Sequence, residues 1–124
     1  MIEGLYFVTP TGSGPTTPAT QIQVPFSFDD ASPRNIRVMG AGAVVYQVLL
    51  CVTTAFDGTG ASLTVGDAGQ ADRLMSAAQN DPYTVGNNEA NPAHEYVLST
   101  QVTLTLTPGT ATQGAGVLVL LFKP

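Results

Sequence analysis

Apolar side chains recur at every second position in three separate stretches of this chain, and that spacing limits the fold more than any other feature. Ile22, Val24, Phe26 and Phe28 alternate with Gln21, Gln23, Pro25 and Ser27; Ile36 and Val38 flank Arg37; Val102, Leu104 and Leu106 flank Thr103 and Thr105. A period of two puts alternate side chains on one face of an extended backbone, so each stretch predicts a β-strand with one buried face. Pro25 has no N–H to give to a ladder, which places its strand at a sheet edge or at a bulge. In NIRVM (residues 35–39) the alternation turns Ile36 and Val38 inward and Arg37 outward.

Two further runs are predominantly apolar with no polar alternation. AVVYQVLLCVTTA (residues 43–55) is long enough for a helix, but its Val and Thr residues favour a central strand buried on both faces. VLVLLF (117–122) closes the chain in the same way. The Asp-Gly pair in Phe56-Asp57-Gly58-Thr59-Gly60 predicts a hairpin from the long run to ASLTV at 61–65. The strand pattern pauses over 66–80, where Asp72 stands to cap a short helix through Arg73 to Ala78. Residues 81–94 read as a polar loop, and EYVL (95–98) restarts a strand. At the front, EGLYFV (3–8) reads as a short strand. Residues 9–20, TPTGSGPTTPAT, have no apolar period and form an extended arm or loop. About eight short antiparallel strands with frequent turns predict an all-β fold, a β-sandwich or jelly roll, in one domain over residues 1–124.

Charge content bears on how such a domain lives. Only 10% of the residues are Asp, Glu, Lys or Arg, against about 25% in ordinary globular proteins. A lone monomer keeps a charged surface for solubility, so a chain this poor in charge is suited to having much of its outside covered by neighbours. The net charge is −5 and the four cations, Arg34, Arg37, Arg73 and Lys123, are scattered. Nucleic acid is therefore not an expected partner. Neither a charged-then-apolar leader pattern nor an 18-residue apolar run occurs, so no membrane partner is expected. The single cysteine, Cys51, precludes an internal disulfide and is expected to be a small buried hydrophobe.

Groups that carry chemistry are sparse. One histidine, His94, sits in NPAHEY, and a surface or hydrogen-bonded role is the expectation for it. Phosphate-binding, dinucleotide-binding, zinc-protease, nucleophile-elbow and paired-cysteine motifs are missing. Asp57, Asp67, Asp72 and Asp81 fall in segments read as loops, where calcium-type ligands arise. They lack the alternating-Asp string of a calcium loop and match ordinary turn chemistry. The expectation is a protein with no catalytic residues, no cofactor and no metal.

TTAFDGTGASLTVGDAGQADRLM (residues 53–75), followed by a polar loop and a Thr-rich alternating strand, resembles small virion proteins of tailed bacteriophages. That resemblance covers about half the chain. It implies a jelly-roll subunit that trimerises and sits on the virion, and it supplies no catalytic residues. The role it suggests is capsid decoration: a cement protein on the capsid surface whose partners are further copies of itself and the major capsid protein. Candidate assembly residues are Thr9, Pro10, Pro15 and Pro18 of the arm, which either links or reaches a neighbour, and Val44, Tyr46, Val48, Leu118, Leu120 and Phe122 on the two apolar strands. Those strand residues are equally suited to a plain core. The alternative is a trimeric receptor- or glycan-binding module of a head or tail fibre, using the segments 66–80 and 81–94. Tyr83 is the sole aromatic there, which weighs against it. A tail-tube or head-completion piece also fits the composition.

Overall fold

The computed structural model describes residues 19–124. The strand expected at 3–8 and the arm residues Thr9, Pro10, Pro15 and Pro18 lie outside the described residues. Nine strands follow in order: β1 (Thr20–Ser27), β2 (Arg34–Met39), β3 (Val44–Thr54), β4 (Ser62–Asp67), β5 (Gln70–Met75), β6 (Gly86–Ala90), β7 (His94–Glu95), β8 (Thr100–Thr107) and β9 (Ala115–Lys123). One short 3-10 turn, Ala77–Gln79, lies between β5 and β6.

All pairings are antiparallel. One sheet runs β1-β9-β3-β6, with β7 also on β3; the other runs β2-β8-β4-β5. Thus β1 pairs with β9, β2 with β8, β3 with β6 and β4 with β5, the early strands matched to late ones and the middle ones to each other. A ribbon nested in this way and rolled into two facing sheets is a jelly roll. The period-two residues supply its core. Phe26, Val45, Val48, Leu50, Leu118, Leu120 and Phe122 from the first sheet meet Met39, Leu63, Val65, Met75, Val102 and Leu104 from the second. Each large apolar side chain removed from water here contributes about 1.5–3 kcal/mol.

Among the described residues β1 is an edge strand, one of the two placements Pro25 allowed, and β3 and β9 are the central pair. The structure corrects five other expectations. EYVL (95–98) is not a strand: β7 ends at Glu95, and Tyr96 to Leu98 lie in the loop that follows. The strand β2 carries a bulge between Asn35 and Arg37, which reverses the alternation after it. Val38 consequently faces solvent at 55% exposure, Met39 is buried, and the Arg37 guanidinium lies 4.9 Å from the centre of the Phe122 ring. Next, β3 and β4 form no hairpin: Phe56 is buried where the chain crosses between the sheets, and β4 pairs with β8 and β5. The stretch 73–78 is not a helix, because residues up to Met75 extend as β5 and are held by pairing to β4 through a tight Ala68-Gly69 turn. Finally, residues 81–94 are more than a loop: β6 lies within them and pairs with β3 from Val48 to Val52.

Candidate functional site

With catalytic groups so few, the candidate site is whatever the fold leaves open for contact. On β3 and β9 the side chains alternate between the core and the opposite, outer face of the sheet. That outer face carries Leu49, Cys51, Val117 and Val119 as a small apolar cluster separate from the core. Gln23 lies opposite Val119 on β1, and Glu89 lies opposite Leu49 on β6, so polar side chains flank the stripe on both sides. Gln47 donates to Glu89 and Asn91 at 3.1 Å each, tying the β6 side together. Burial pushes the Cys51 thiol above its usual range, which keeps it neutral.

Four of the six strand residues expected to reach a neighbour do not reach the surface. Val48, Leu118, Leu120 and Phe122 point between the sheets and are fully buried. Packing the core of their own chain uses them completely. Val44 is half-buried, and Tyr46, the extra residue of a bulge on β3, is 38% exposed.

The edge of β1, beyond which no described strand lies, is the second feature. The Pro25 carbonyl accepts from the Arg34 guanidinium at 2.7 Å, and the Ser27 N–H donates to Asp30 at 2.8 Å. Arg34 and Asp30 also pair with each other at 3.1 Å. In an antiparallel strand, alternate residues direct both backbone groups to the same side. The backbones of Gln21 and Gln23 therefore face the same free edge as those of Pro25 and Ser27. Among the described residues, nothing caps them. The edge is, among the described residues, closed at its far half and uncapped at its near half.

The third feature is the end of the sandwich where β1 begins. Tyr96 exchanges backbone hydrogen bonds with residues 42 and 43: its N–H donates to Ala43 and its carbonyl accepts from Gly42. Beyond it, Val97 and Leu98 are 75% and 72% exposed. They border a cavity of about 280 Å³ whose wall includes Asp67, Arg73, His94 and Thr100. Asp67, the last residue of β4, is the buried charge of this end. Its carboxylate accepts from Arg73 Nε at 2.7 Å, the Tyr96 hydroxyl at 2.8 Å, and the N–H groups of Gly69 and Gln70 at 3.0 and 3.1 Å. Burial alone would raise its pKa. The hydrogen bonds and the Arg73 charge outweigh burial and hold it at about 2. Burial and the bond to Asp67 push the Tyr96 hydroxyl upward. His94 packs edge-on against Tyr96 at 4.6 Å between ring centres.

The remaining acidic loop residues do structural work at the opposite end. Asp57 accepts from the Thr112 N–H and hydroxyl, both at 2.6 Å, and from the Gln113 N–H at 3.2 Å. The Thr112 bonds hold its carboxyl below the usual range. Asp81 accepts from the Tyr83 N–H and the Thr84 hydroxyl. Among the described residues, no three His, Cys, Asp or Glu side chains lie close enough to hold a metal ion. The Tyr83 hydroxyl accepts from the Ala61 N–H at 2.8 Å, so the one aromatic of the candidate recognition segments serves to join two loops. The Asp67–Tyr96 contact escaped the sequence because 29 residues separate its partners. The Asp-x-Gly-Gln turn at 67–70 was its only visible half.

No family model matches the chain, and no curated protein matches it. Solved structures do. A chain in the acid-stable capsid structure of Helicobacter pylori bacteriophage KHP30 aligns over 86% of this chain and 87% of its own length, at 16% identity and a TM-score of 0.69. One in the capsid asymmetric unit of cyanophage Pam1 aligns over 97% and 94%, at 20% identity and a TM-score of 0.68. A third, in the capsid of Ralstonia phage GP4, aligns over 98% and 92%, at 16% identity and a TM-score of 0.55. The jelly roll described above is the fold they share with this chain.

Proposed function

We propose that this chain is a structural protein of a bacteriophage virion, and that it decorates the outside of the capsid as a homotrimeric cement protein bound to the major capsid protein. The observation that carries the reading is the fold. Three chains in phage capsid structures share it across nearly their whole lengths. The described residues support it from the other side. Their buried charge and acidic loops are engaged in holding the sandwich together, and what stays open is a sheet edge and exposed apolar side chains. A net charge of −5 keeps the chain from competing for packaged DNA. A charge content of 10% suits a subunit whose surface is largely shared with neighbours.

The test is binding to expanded shells of the parent virus stripped of this chain. Saturable binding at a fixed ratio to the shell subunit, with added resistance of the shell to heat, is the expected result. Binding to host-cell glycans with no affinity for shells would contradict it.

A further inference from the structure

We propose that Val97 and Leu98, the tip of the β7–β8 connection, join copies of this chain by seating in the cavity beside the same tip on the next copy. This deepens the homotrimer reading, on which it rests, by naming the surface through which the copies meet. Val97 and Leu98 are adjacent, and they are the two most exposed large apolar side chains among the described residues. A solvated turn is ordinarily built from Gly, Pro, Asn, Asp and Ser, so the turn itself does not account for two branched apolar residues at its bends. The tip is also held in place from both sides. Before it, Tyr96 is buried, with both backbone groups bonded to residues 42 and 43 and its hydroxyl donating to Asp67. After it, the Thr100 hydroxyl donates to the Leu98 carbonyl at 2.8 Å. Apolar side chains on a backbone fixed in advance lose little freedom on docking, and their removal from water drives association.

The same end supplies the receptacle. Val97 and Leu98 border the cavity of about 280 Å³, and Tyr96 and Glu95 share its wall. A void of about 150 Å³ admits a benzene-sized group, so this one has room for the Val and Leu side chains of another copy. Charge favours a second copy as the occupant, and this end as its meeting place. Arg37, Arg73 and Lys123 stand here with Asp67, Asp72 and Glu95, so two such ends can meet with opposite charges opposed. At the other end Asp29, Asp30, Asp57 and Asp81 face only Arg34 among the described residues, and two copies brought together there would repel. Tip and cavity lie side by side at one end, not at opposite ends. Successive copies joined this way stand beside one another about a common axis, which suits a closed ring and not an end-to-end filament.

The experiment is sedimentation equilibrium of the full-length chain, in which the wild type is expected to self-associate reversibly into one closed species. The double variant Val97→Ser/Leu98→Ser alters only exposed side chains. It should leave circular dichroism unchanged and weaken association roughly tenfold or more. A second measurement does not depend on that variant folding. Ser99→benzoylphenylalanine leaves the tip intact, and on irradiation it should cross-link to residues 67–73 or 94–100 of another copy. A chain that is monomeric at every concentration overturns the proposal, whether or not it binds shells. So does association that the double variant leaves intact, or cross-linking between copies confined to other segments. Self-association through this end without binding to shells keeps the inference and removes the decoration reading.

Discussion

Among the described residues Asp67 is the most heavily engaged side chain, and its bonds tie the β4–β5 turn and β5 to the loop after β7. Asp67→Asn keeps the shape but removes the ion pair with Arg73 and weakens the bond from Tyr96. The Arg73 side chain is 32% exposed, so water softens the loss, and a destabilisation of about 1–3 kcal/mol is expected in urea titration. The pH dependence has a definite sign. A carboxyl held at about 2 in the folded chain, against about 3.9 when unfolded, stabilises fully above the unfolded value. That contribution falls away as pH drops from about 4 to about 2. The melting temperature of the wild type should therefore decline through this window, and that of Asp67→Asn should decline less. Equal slopes for the two proteins would show that Asp67 is not the group responsible. Reading Asp67 as turn chemistry located half of this arrangement. Its other half depends on a tertiary neighbour, Tyr96, which no local spacing reveals.

Strands were legible where one face is buried and the alternation unbroken. β1 and β8 follow from their alternation, and among the described residues β1 takes the edge, one of the two placements Pro25 allowed. Legibility failed where a long-range pairing overrode a local preference. Arg73, Leu74 and Met75 are good helix formers, yet pairing with β4 extends them. In β2 a bulge cancels the period, so Val38 and Met39 exchange faces. In β6, Gly86, Asn87 and Asn88 are poor strand formers recruited by β3. Two substitutions probe the elements themselves. A Cβ on Gly116 would overlap the Cys51 carbonyl and lie 2.6 Å from the Phe26 ring. Gly116→Ala should consequently destabilise the β1–β9–β3 packing by about 1–3 kcal/mol in urea titration. Arg34→Ala removes an exposed pair worth only about 0–1 kcal/mol. It also frees the Pro25 carbonyl, so the expected outcome is near-normal stability with faster aggregation. Unchanged aggregation would show that Arg34 does not guard the edge.

The whole molecule is polarised. Asp29, Asp30, Asp57 and Asp81 gather at one end, where Arg34 is the only cation among the described residues. Arg37, Arg73 and Lys123 lie towards the other, offset there by Asp67, Asp72 and Glu95, where Val97 and Leu98 are exposed and where β1 begins, so the negative charge is concentrated at the first end. The sequence disclosed the acidity but not this separation, because it arises only when the ribbon rolls up. Nor did it disclose which apolar residues are spent internally. Strands apolar on both faces offer two candidate surfaces, and the pairing pattern decides that Leu118, Leu120 and Phe122 face the core. Among the described residues, what is left for neighbours is the near half of the β1 edge and the apolar end that carries Val97 and Leu98.

Co-sedimentation of the purified full-length chain with expanded shells of the parent virus, stripped of this chain, tests that account most directly. Saturation at a constant ratio to the shell subunit, accompanied by a rise in the temperature at which the shells break, is the predicted result. Failure to sediment with shells at concentrations where the chain itself is folded and assembled would contradict it.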